Sequence, residues 1–391
     1  MHNQIIPHAP DRNHLRSQQG AVMQQDVPTT TCMNCKSLEA GNDEPHIDCV
    51  LIGINSANTL GRCIESIRTA DYPQDRLHII YVDGGSSDTS IEVARSYDGL
   101  QVIGITPEYP SPGIGRNTGW KSGSSPLVQF LDSDTIVDPQ WFTRGVDAIQ
   151  HKEVGAVLGM RNELYPERSF YNWIGNIEWN GPAGQSDCFG GDVLIRREAL
   201  EATGGYDEEL VGGEDPELSR RIIRKGWKIL RTDLPMTKHD LAMFTLSQYL
   251  RRAYRSGYGF AAVRYREAVA GSDFWRYEYQ KVAIKGGGFV TAIALSVPLL
   301  GMGTVITTSV GFLVVMLGTI LLLMPRLFRI SQFIREQKLN KVEARRYAWH
   351  CSLVVLPQLA GVLRFHAGRF IGRPLRNKSS KLSTGISGQG T

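Results

Sequence analysis

The longest uncharged stretch of the sequence, residues 286 to 324, most constrains what this chain can fold into. It is rich in Val, Leu, Ile, Gly and Thr and contains no Asp, Glu, Lys or Arg. A transmembrane helix needs about 20 apolar residues, so the stretch is too long for one buried soluble helix or one membrane span. Pro298 and the segment Gly301-Met302-Gly303 offer a break near its middle. The sequence therefore predicts a short helical hairpin that crosses a membrane twice.

A cluster of basic residues directly follows this stretch and indicates its orientation. The positive-inside rule places the Lys and Arg residues of short loops on the cytoplasmic side of a membrane. If the large N-terminal part is also cytoplasmic, two crossings are required. We therefore expect a protein of the inner (plasma) membrane whose N-terminal domain lies in the cytoplasm. The basic cluster comprises Arg326, Arg329, Arg335, Lys338, Lys341, Arg345 and Arg346.

A second, shorter apolar segment occupies residues 351–363. It contains Pro357 and is too short to cross a membrane comfortably. We expect it to be an interfacial segment that binds anionic membrane lipid, while a re-entrant or third crossing stays open. The basic residues that follow it are Arg364, Arg369, Arg373 and Arg376.

The composition excludes several classes of protein. The chain has 391 residues, 42% of them hydrophobic, and its formal net charge of +4 gives no reason to expect nucleic-acid binding. Its six cysteines form no disulfide framework, and Cys32 and Cys35 lack the further ligands of a zinc site, so we expect a reducing compartment. Residues 1–46 are rich in polar residues and Pro and have no apolar run, which predicts a disordered tail rather than a secretory signal peptide.

Alternating apolar runs and helical patterns predict an α/β domain after this tail. Residues 49–54 and 77–82 are apolar runs, and residues 59–70 between them have helical spacing. Residues 102–105 form a third, shorter run. Strands that alternate with helices imply a parallel sheet, whose ligands bind beyond the carboxyl ends of the strands.

Polar side chains stand where these predicted strands end. Asn55 follows the first apolar run, and Asp83 follows the second. Shortly afterwards, Thr89 and Glu92 have the spacing of a capping box, which predicts that a helix begins there. We therefore expect Asn55 and Asp83 to line one edge of the sheet.

The next apolar run, residues 127–131, ends in Asp132-Ser133-Asp134. Two carboxylates two residues apart at a strand end can share a hard cation, and such a cation keeps open positions that bind phosphate oxygens. The pattern thus indicates a metal-bound nucleotide or sugar nucleotide. Asp-x-Asp turns also occur as ordinary solvated loop ends, so the context of the motif decides between the two.

A second acidic motif, Glu214-Asp215, follows two glycines and precedes Pro216. The glycines free the backbone, and a proline suits the first turn of a helix. Acidic residues at a helix N-terminus are also ordinary capping, so the motif allows both a catalytic and a structural interpretation.

Taken together, these motifs resemble those of the family 2 glycosyltransferases, inverting enzymes with a GT-A fold. The resemblance covers about residues 48–260. It rests on Asn55, the run from Asp83 to Asp88, the DXD motif Asp132-Ser133-Asp134, the segment Arg116-Asn117-Thr118-Gly119, and Glu214-Asp215 before a helix.

The resemblance implies a role for each of these residues. Asp215, next to Glu214, is the general base that deprotonates the acceptor hydroxyl, and Asp134 is the metal ligand. One base and one metal suit a single displacement with inversion. His239 falls where some relatives place a second metal or phosphate ligand. The implied donor-binding residues are Asn55, Asp83, Asp88, Arg116, Asn117 and Asp132. The implied acceptor- or phosphate-binding residues are Gly191, Arg251 and Arg252. The two arginines also fit a basic helix beside a membrane.

The resemblance further implies a membrane-associated hexosyltransferase. It would use a UDP- or GDP-linked nucleotide sugar with Mn2+ or Mg2+, and transfer to a glycan or lipid-linked acceptor in exopolysaccharide or glycolipid synthesis. Processive synthases of this type carry Gln-x-x-Arg-Trp. This chain has Gln248 and Arg251, followed by Arg252 instead of Trp, which favours a single transfer over processive synthesis.

Two other functions stay open. A nucleotidyltransferase would need a Gly-rich loop with Lys or Arg after the first strand, and residues 55–61 have no basic residue. A non-catalytic scaffold that binds nucleotide sugars in a membrane synthase complex would not need Glu214-Asp215. The expected division of the chain is a disordered tail (1–46), a GT-A domain (47–270), a linker and transmembrane hairpin (271–325), basic juxtamembrane and interfacial helices (326–376) and a flexible tail (377–391).

Overall fold

The computed structural model of this protein describes residues 44–377, so the predictions for most of the N-terminal tail, with Cys32 and Cys35, and for residues 378–391 lie outside it. Within the described range, the N-terminal half contains a nine-stranded mixed sheet. Its strands in chain order are β1 (Ile47–Gly53), β2 (Leu77–Asp83), β3 (Gln101–Gly104), β4 (Leu127–Asp132), β5 (Thr135–Val137), β6 (Val154–Glu163), β7 (Gly184–Gln185), β8 (Val193–Arg196) and β9 (Lys228–His239).

The sheet order explains why polar strand ends meet. The strands lie in the order β3-β2-β1-β4-β8-β6-β9-β5, with β7 paired to β9. The first four are mutually parallel, and in their register Gly53 is opposite Asp83 while Ile52 is opposite Asp132. The predicted parallel arrangement holds for these four strands, whereas the rest of the sheet is mixed, because β8 runs antiparallel to both β4 and β6.

Helices cover the sheet. They are α1 (Ala57–Arg68), α2 (Ser90–Arg95), α3 (Pro112–Ser122), α4 (Trp141–Ile149), α5 (Phe170–Glu178), α6 (Arg197–Thr203), α7 (Glu214–Arg224) and α8 (Leu246–Val269). The inward face of α1 shows why they pack: Leu60, Ile64 and Ile67 recur at three- and four-residue spacing and are fully buried against the strands.

The predicted capping box at the start of α2 is wrong. Thr89 occupies the N-cap position, but its side chain makes no cap hydrogen bond. The Asp88 carboxylate accepts the hydrogen bonds instead. One of its oxygens accepts from the Ser90 amide at 3.0 Å, and the other accepts at 3.1 Å from the amide of Ala57, the first residue of α1. A charged carboxylate satisfies exposed amides better than a hydroxyl, and two helix N-termini converge on Asp88.

The C-terminal part is helical. Its elements are α9 (Arg276–Lys281), a π-helix (Val282–Gly287), α10 (Gly288–Gly301), α11 (Val305–Phe328), α12 (Ile330–Glu336), α13 (Lys341–Leu353) and α14 (Val355–Phe370). Three helical stretches of the described chain are long and apolar enough to cross a membrane: Arg276–Gly301, Val305–Glu336 and Lys341–Phe370. The hairpin break falls at residues 302–304, where Gly303 adopts a φ of +69°. The third stretch is longer than expected, because α13 begins well before the apolar segment.

The third helical stretch, α13 and α14, packs against the N-terminal domain. A Cβ atom added to Gly361 would lie 2.0 Å from the Tyr254 carbonyl oxygen of α8, so two glycine-bearing helix faces are in backbone contact. At its other end, Tyr347 packs with Ile174 of α5. The first and last parts of this stretch therefore both lie beside the same domain.

The segment after α14 returns to the domain as well. The Leu375 amide donates to the Tyr258 hydroxyl at 3.0 Å, and the Asn377 side chain donates to the Pro110 carbonyl at 3.1 Å. The Arg376 guanidinium stacks over the Tyr109 ring, 4.8 Å from its centre. We call Leu375–Asn377 the C-terminal segment.

Candidate active site

Two strand ends bring a possible metal site together. β4 ends at Asp132, and β5 begins at Thr135, so Asp134 lies in the turn between them. Thr135 pairs with His239 at the end of β9, which places the imidazole beside that turn. His239 Nε2 lies 3.0 Å from Asp134 Oδ1 and 3.8 Å from Asp132 Oδ2. One ligand atom from each of the three residues lies within 4.8 Å of the others.

The chemistry of these three side chains fits a divalent cation. Asp134 Oδ1 and His239 Nε2 are buried and face each other at 3.0 Å, while His239 Nδ1 is buried without a hydrogen bond to any described residue, which costs free energy unless something else satisfies that nitrogen. Burial raises the pKa of Asp134, but the charge and hydrogen bond of the His239 ring, together with the charge of Arg161, more than compensate and hold that pKa below its ordinary value. Two carboxylates and an imidazole form a donor set that Mn2+ accepts readily.

A buried arginine links this cluster to the second acidic motif. Arg116, on α3, is fully buried, and its guanidinium lies 3.3 Å from Asp132 Oδ1. The same group is 3.2 Å from Glu214 Oε1 and 3.5 Å from Asp215 Oδ1. Burial lowers the pKa of Arg116, but the surrounding carboxylates, Asp215 foremost, more than compensate and raise it. Arg116 is therefore a fixed positive charge between two acidic motifs.

Asp215 lies at the start of α7 and is fully buried. Gly213 precedes this helix and has a φ of +88°. This left-handed backbone conformation is one that glycine tolerates. Neither carboxylate oxygen of Asp215 has a hydrogen bond to a described residue, and burial raises its pKa well above the ordinary value. A carboxylate with a raised pKa is better suited to take a proton near neutral pH than an ordinary one.

The sequence analysis assigned no role to Arg161 and Asp192, although both belong to the site. Arg161, on β6, lies 3.3 Å from Asp132 Oδ2 and 3.3 Å from Asp192 Oδ2. Asp192 also accepts a hydrogen bond from the Asp132 amide at 3.3 Å. The available signal was Arg161 itself, the first charged residue after the apolar part of β6. Gly191 fits between these charges, since a Cβ added there would lie 2.7 Å from an Arg116 nitrogen.

A cleft of about 680 Å³ opens above the cluster at the carboxyl ends of the parallel strands. Asn55, Asp132, Asp134 and Arg255 line it, and so does Asn377 from the C-terminal segment. Asn55 has a φ of +56°, and its side-chain oxygen accepts from the Ser87 amide, which joins the loops after β1 and β2. This size suits a small-molecule ligand.

The other predicted site residues lie elsewhere. Asp83 is buried next to the cleft, where its carboxylate accepts from the amides of Gly85 and Ser86. Asn117 is also buried, and its amide bonds to Tyr206. Neither residue lines the cleft, and neither do Asp88, Gly191, Glu214 and Asp215.

The two arginines of α8 differ in position. Arg251 is exposed, whereas Arg252 lines a second, smaller cavity against the C-terminal helices. Neither arginine borders the cleft, so any contact with a donor phosphate would require movement.

Two family profiles and several curated proteins match this chain in sequence. The profile described as "Glycosyl transferase family 2" matches residues 49–203, and that described as "Glycosyl transferase family group 2" matches residues 127–334. Glycosyltransferase AglE of Haloferax volcanii is 25% identical over 224 residues, covering 55% of this chain and 73% of AglE. The probable glycosyltransferase YdaM of Bacillus subtilis is 24% identical over 205 residues, 47% of this chain and 48% of YdaM.

One solved structure shares the fold over most of the chain. The mannosyltransferase PcManGT of Pyrobaculum calidifontis, solved in complex with GDP-Man and Mn2+, superposes with a TM-score of 0.55 at 15% identity. The match covers 82% of this chain and 88% of that one. At this identity the likeness establishes the architecture alone.

Proposed function

We propose a specific reaction for this chain, which belongs to the family group 2 glycosyltransferases and has the GT-A fold: it transfers one sugar from a nucleotide-diphosphate sugar to an acceptor hydroxyl, with inversion and with a divalent cation. The single observation that carries this proposal is the Asp132, Asp134 and His239 cluster, whose two aspartates line the cleft. A cation held by these three residues would neutralise the diphosphate that leaves the donor.

The protein side chains have separate roles in this proposal. Asn55 and Asp132 hold the nucleotide end of the donor, with Asp83 and Asp88 shaping the loops beside it. Asp215 accepts the proton of the acceptor hydroxyl as that oxygen attacks the anomeric carbon from the face opposite the leaving group. Arg116 holds Glu214, Asp215 and Asp132 in one arrangement and stabilises the charge on them.

One step of this mechanism needs movement. Asp215 is fully buried and does not line the cleft, so the acceptor hydroxyl cannot reach it in this conformation. Catalytic contacts often tighten only when substrate binds. We expect the acceptor to open the packing around Arg116 and Asp215.

The acceptor and the membrane belong to the same proposal. The hairpin α10–α11 is apolar and largely exposed along its length, as a pair of membrane spans would be. The stretch α13–α14 contacts the domain near both ends, so we propose that it lies along the domain at the membrane surface and that the chain crosses twice. A catalytic domain held against the cytoplasmic face suits a lipid-linked glycan acceptor in polysaccharide or glycolipid synthesis.

The test is a binding and product experiment on the full chain in detergent. Thermal unfolding is recorded with UDP, GDP, CMP and dTDP, each with and without Mn2+. Ligand binding to the folded state stabilises it by about 2.7 kcal/mol at a hundredfold excess over Kd. We expect one nucleotide to act, only with metal, and Asp134→Asn to abolish its effect.

The matching nucleotide sugar is then supplied with a lipid-linked acceptor. NMR of the anomeric proton should show a product of inverted configuration. A metal-independent shift, an undiminished response in Asp134→Asn, or retained configuration would each contradict the proposal.

A further inference from the structure

A second cavity, separate from the donor cleft, lies between the N-terminal domain and the C-terminal helices. It encloses about 70 Å³ and is bordered by α5, α8, α9, the π-helix and parts of α11 to α14. Four of the residues that line it are basic and two are acidic. We call it the basic cavity; its charged residues are Glu178, Arg252, Glu278, Lys281, Lys285 and Arg329.

The acidic residues do not balance the basic ones. Glu178 is already engaged, because it accepts from His350 Nε2 at 2.9 Å and from the Tyr347 hydroxyl at 3.3 Å. The charge of Glu178 also acts on Arg252, and the charge of Lys281 acts on Glu278, so two basic residues stay in excess. Lys281, Lys285 and Arg329 form no ion pair within 4.0 Å with any described residue. Partly buried cations without counterions destabilise a protein, so an anion is expected among them.

The two lysines make the excess of positive charge sharper. Lys281 and Lys285 are four residues apart, so their ammonium groups lie on one side of the helix and repel each other. Lys285 lies in the π-helix Val282–Gly287. Such π-helical turns are rare and often occur at functional sites. Burial, and next the neighbouring Arg161, lower the pKa of Arg252 to about 10, as expected where positive charges accumulate.

The position of the cavity indicates which anion it binds. Lys281 and Lys285 lie at the beginning of the first candidate span, and Arg329 lies just after α11, within the second. In a hairpin, the beginning of one span and the end of the next lie on the same membrane face, here the face of the domain. The basic cavity is thus at the depth of lipid headgroups, where phosphate groups are concentrated.

We propose that the basic cavity binds the phosphate headgroup of an anionic membrane lipid. The cavity is also close to the candidate active site. Trp179 forms part of its wall, and the same indole ring packs against His239 with 5.2 Å between the ring centres. If the proposed function holds, the lipid that carries the acceptor is the natural occupant, and its phosphate would anchor the acceptor beside the catalytic cluster.

The test measures lipid binding by the full chain in dodecyl maltoside, without nucleotide or metal, so that its result does not depend on the transferase proposal. The probes are dioleoyl phosphatidic acid, dioleoyl phosphatidylcholine and inorganic phosphate, with Kd from native mass spectrometry and thermal shift. We expect phosphatidic acid to bind and phosphatidylcholine not to bind. The double variant K281Q/K285Q should weaken phosphatidic acid binding at least tenfold.

Three variants control this result. R345Q/R346Q removes two exposed basic residues of α13 outside the cavity and should bind like the wild type, as should the charge-conserving K281R/K285R. Arg329→Gln repeats the charge loss on another helix in case the double variant does not fold. Unchanged binding in K281Q/K285Q and Arg329→Gln, or equal binding of phosphatidylcholine, would overturn the proposal. Inorganic phosphate binding as tightly as phosphatidic acid would show a soluble anion site instead.

Discussion

Asp215 combines complete burial with a carboxylate that has no hydrogen-bond donor among the described residues, which is costly for stability and useful for proton transfer. We predict that Asp215→Asn lowers transfer by at least about 10²-fold, because the amide cannot accept the acceptor proton. Nucleotide binding should persist, because the base acts only in the chemical step. Loss of nucleotide affinity equal to the loss of turnover would count against a catalytic role.

The same variant has a pH signature. Burial raises the pKa of Asp215 above its unfolded value, so the folded protein binds the extra proton between those two pKa values. The contribution of this group to stability is therefore present at low pH and lost as pH rises through the folded pKa. Asp215→Asn should raise Tm at pH 7 to 8, and the gain should vanish near pH 4. A gain that is constant with pH would show another cause.

Arg116 is the positive charge that three buried carboxylates share. Arg116→Met should lower the free energy of unfolding by about 3–5 kcal/mol, because it leaves those carboxylates buried without their counterion. Denaturant unfolding in detergent measures this change. Arg251→Met, at an exposed position on α8, is the matched control and should change stability by no more than about 0.5 kcal/mol.

Some of these site residues could be predicted from the sequence and others could not, for a physical reason. The place of Asp132 in the site could be predicted, because it ends an apolar run and the carboxyl ends of parallel strands meet at one edge of the sheet. Arg161 and Asp192 come together only because β8 runs antiparallel between β4 and β6. Local patterns carry no information about that pairing, so their contact with Asp132 could not be predicted.

At the scale of elements, the contact between α8 and α14 depends on two glycines. A Cβ at Gly361 would lie 2.0 Å from the Tyr254 carbonyl, and one at Gly257 would lie 1.9 Å from the Gln358 carbonyl. Gly361→Ala should therefore separate the helices and cost about 1–3 kcal/mol. Limited proteolysis after α14 and a lower Tm would report it. Gly301→Ala, where an added Cβ would meet no atom beyond its own turn of helix within 4 Å, should leave both unchanged.

The helical hairpin was predictable and the docking of α14 was not. The break at residues 302–304 follows from glycines inside an uncharged run. The length of the third helical stretch depends on α13, which carries several charged residues, so the apolar segment alone underestimates it. Its contact with α8 relies on backbone approach at two distant glycines, and no local pattern reports such a contact.

At the scale of the whole molecule, the proposed two crossings predict which residues face each side. A membrane-impermeant maleimide should label Met302→Cys from the side opposite the domain and Glu336→Cys from the domain side, in oriented vesicles. Pro374→Cys should be labelled from the same side as Glu336→Cys, because α13–α14 stays beside the domain. Labelling of Pro374→Cys together with Met302→Cys would show a third crossing.

The labelling needs a defined cysteine background. Cys49, Cys63 and Cys188 are buried and should not react. Replacement of Cys32, Cys35 and Cys351 by serine removes the remaining thiols.

The C-terminal segment has a consequence for the order in which the protein matures. Asn377 lines the cleft, yet it follows all three helical stretches of the described chain that are long and apolar enough to cross a membrane. The ribosome therefore synthesises Asn377, which completes the lining of the cleft, only after the hairpin and α14. A nascent chain whose domain has already folded still has an incomplete cleft, so under the proposed function sugar transfer would begin only on polypeptides whose C-terminal helices have already been made.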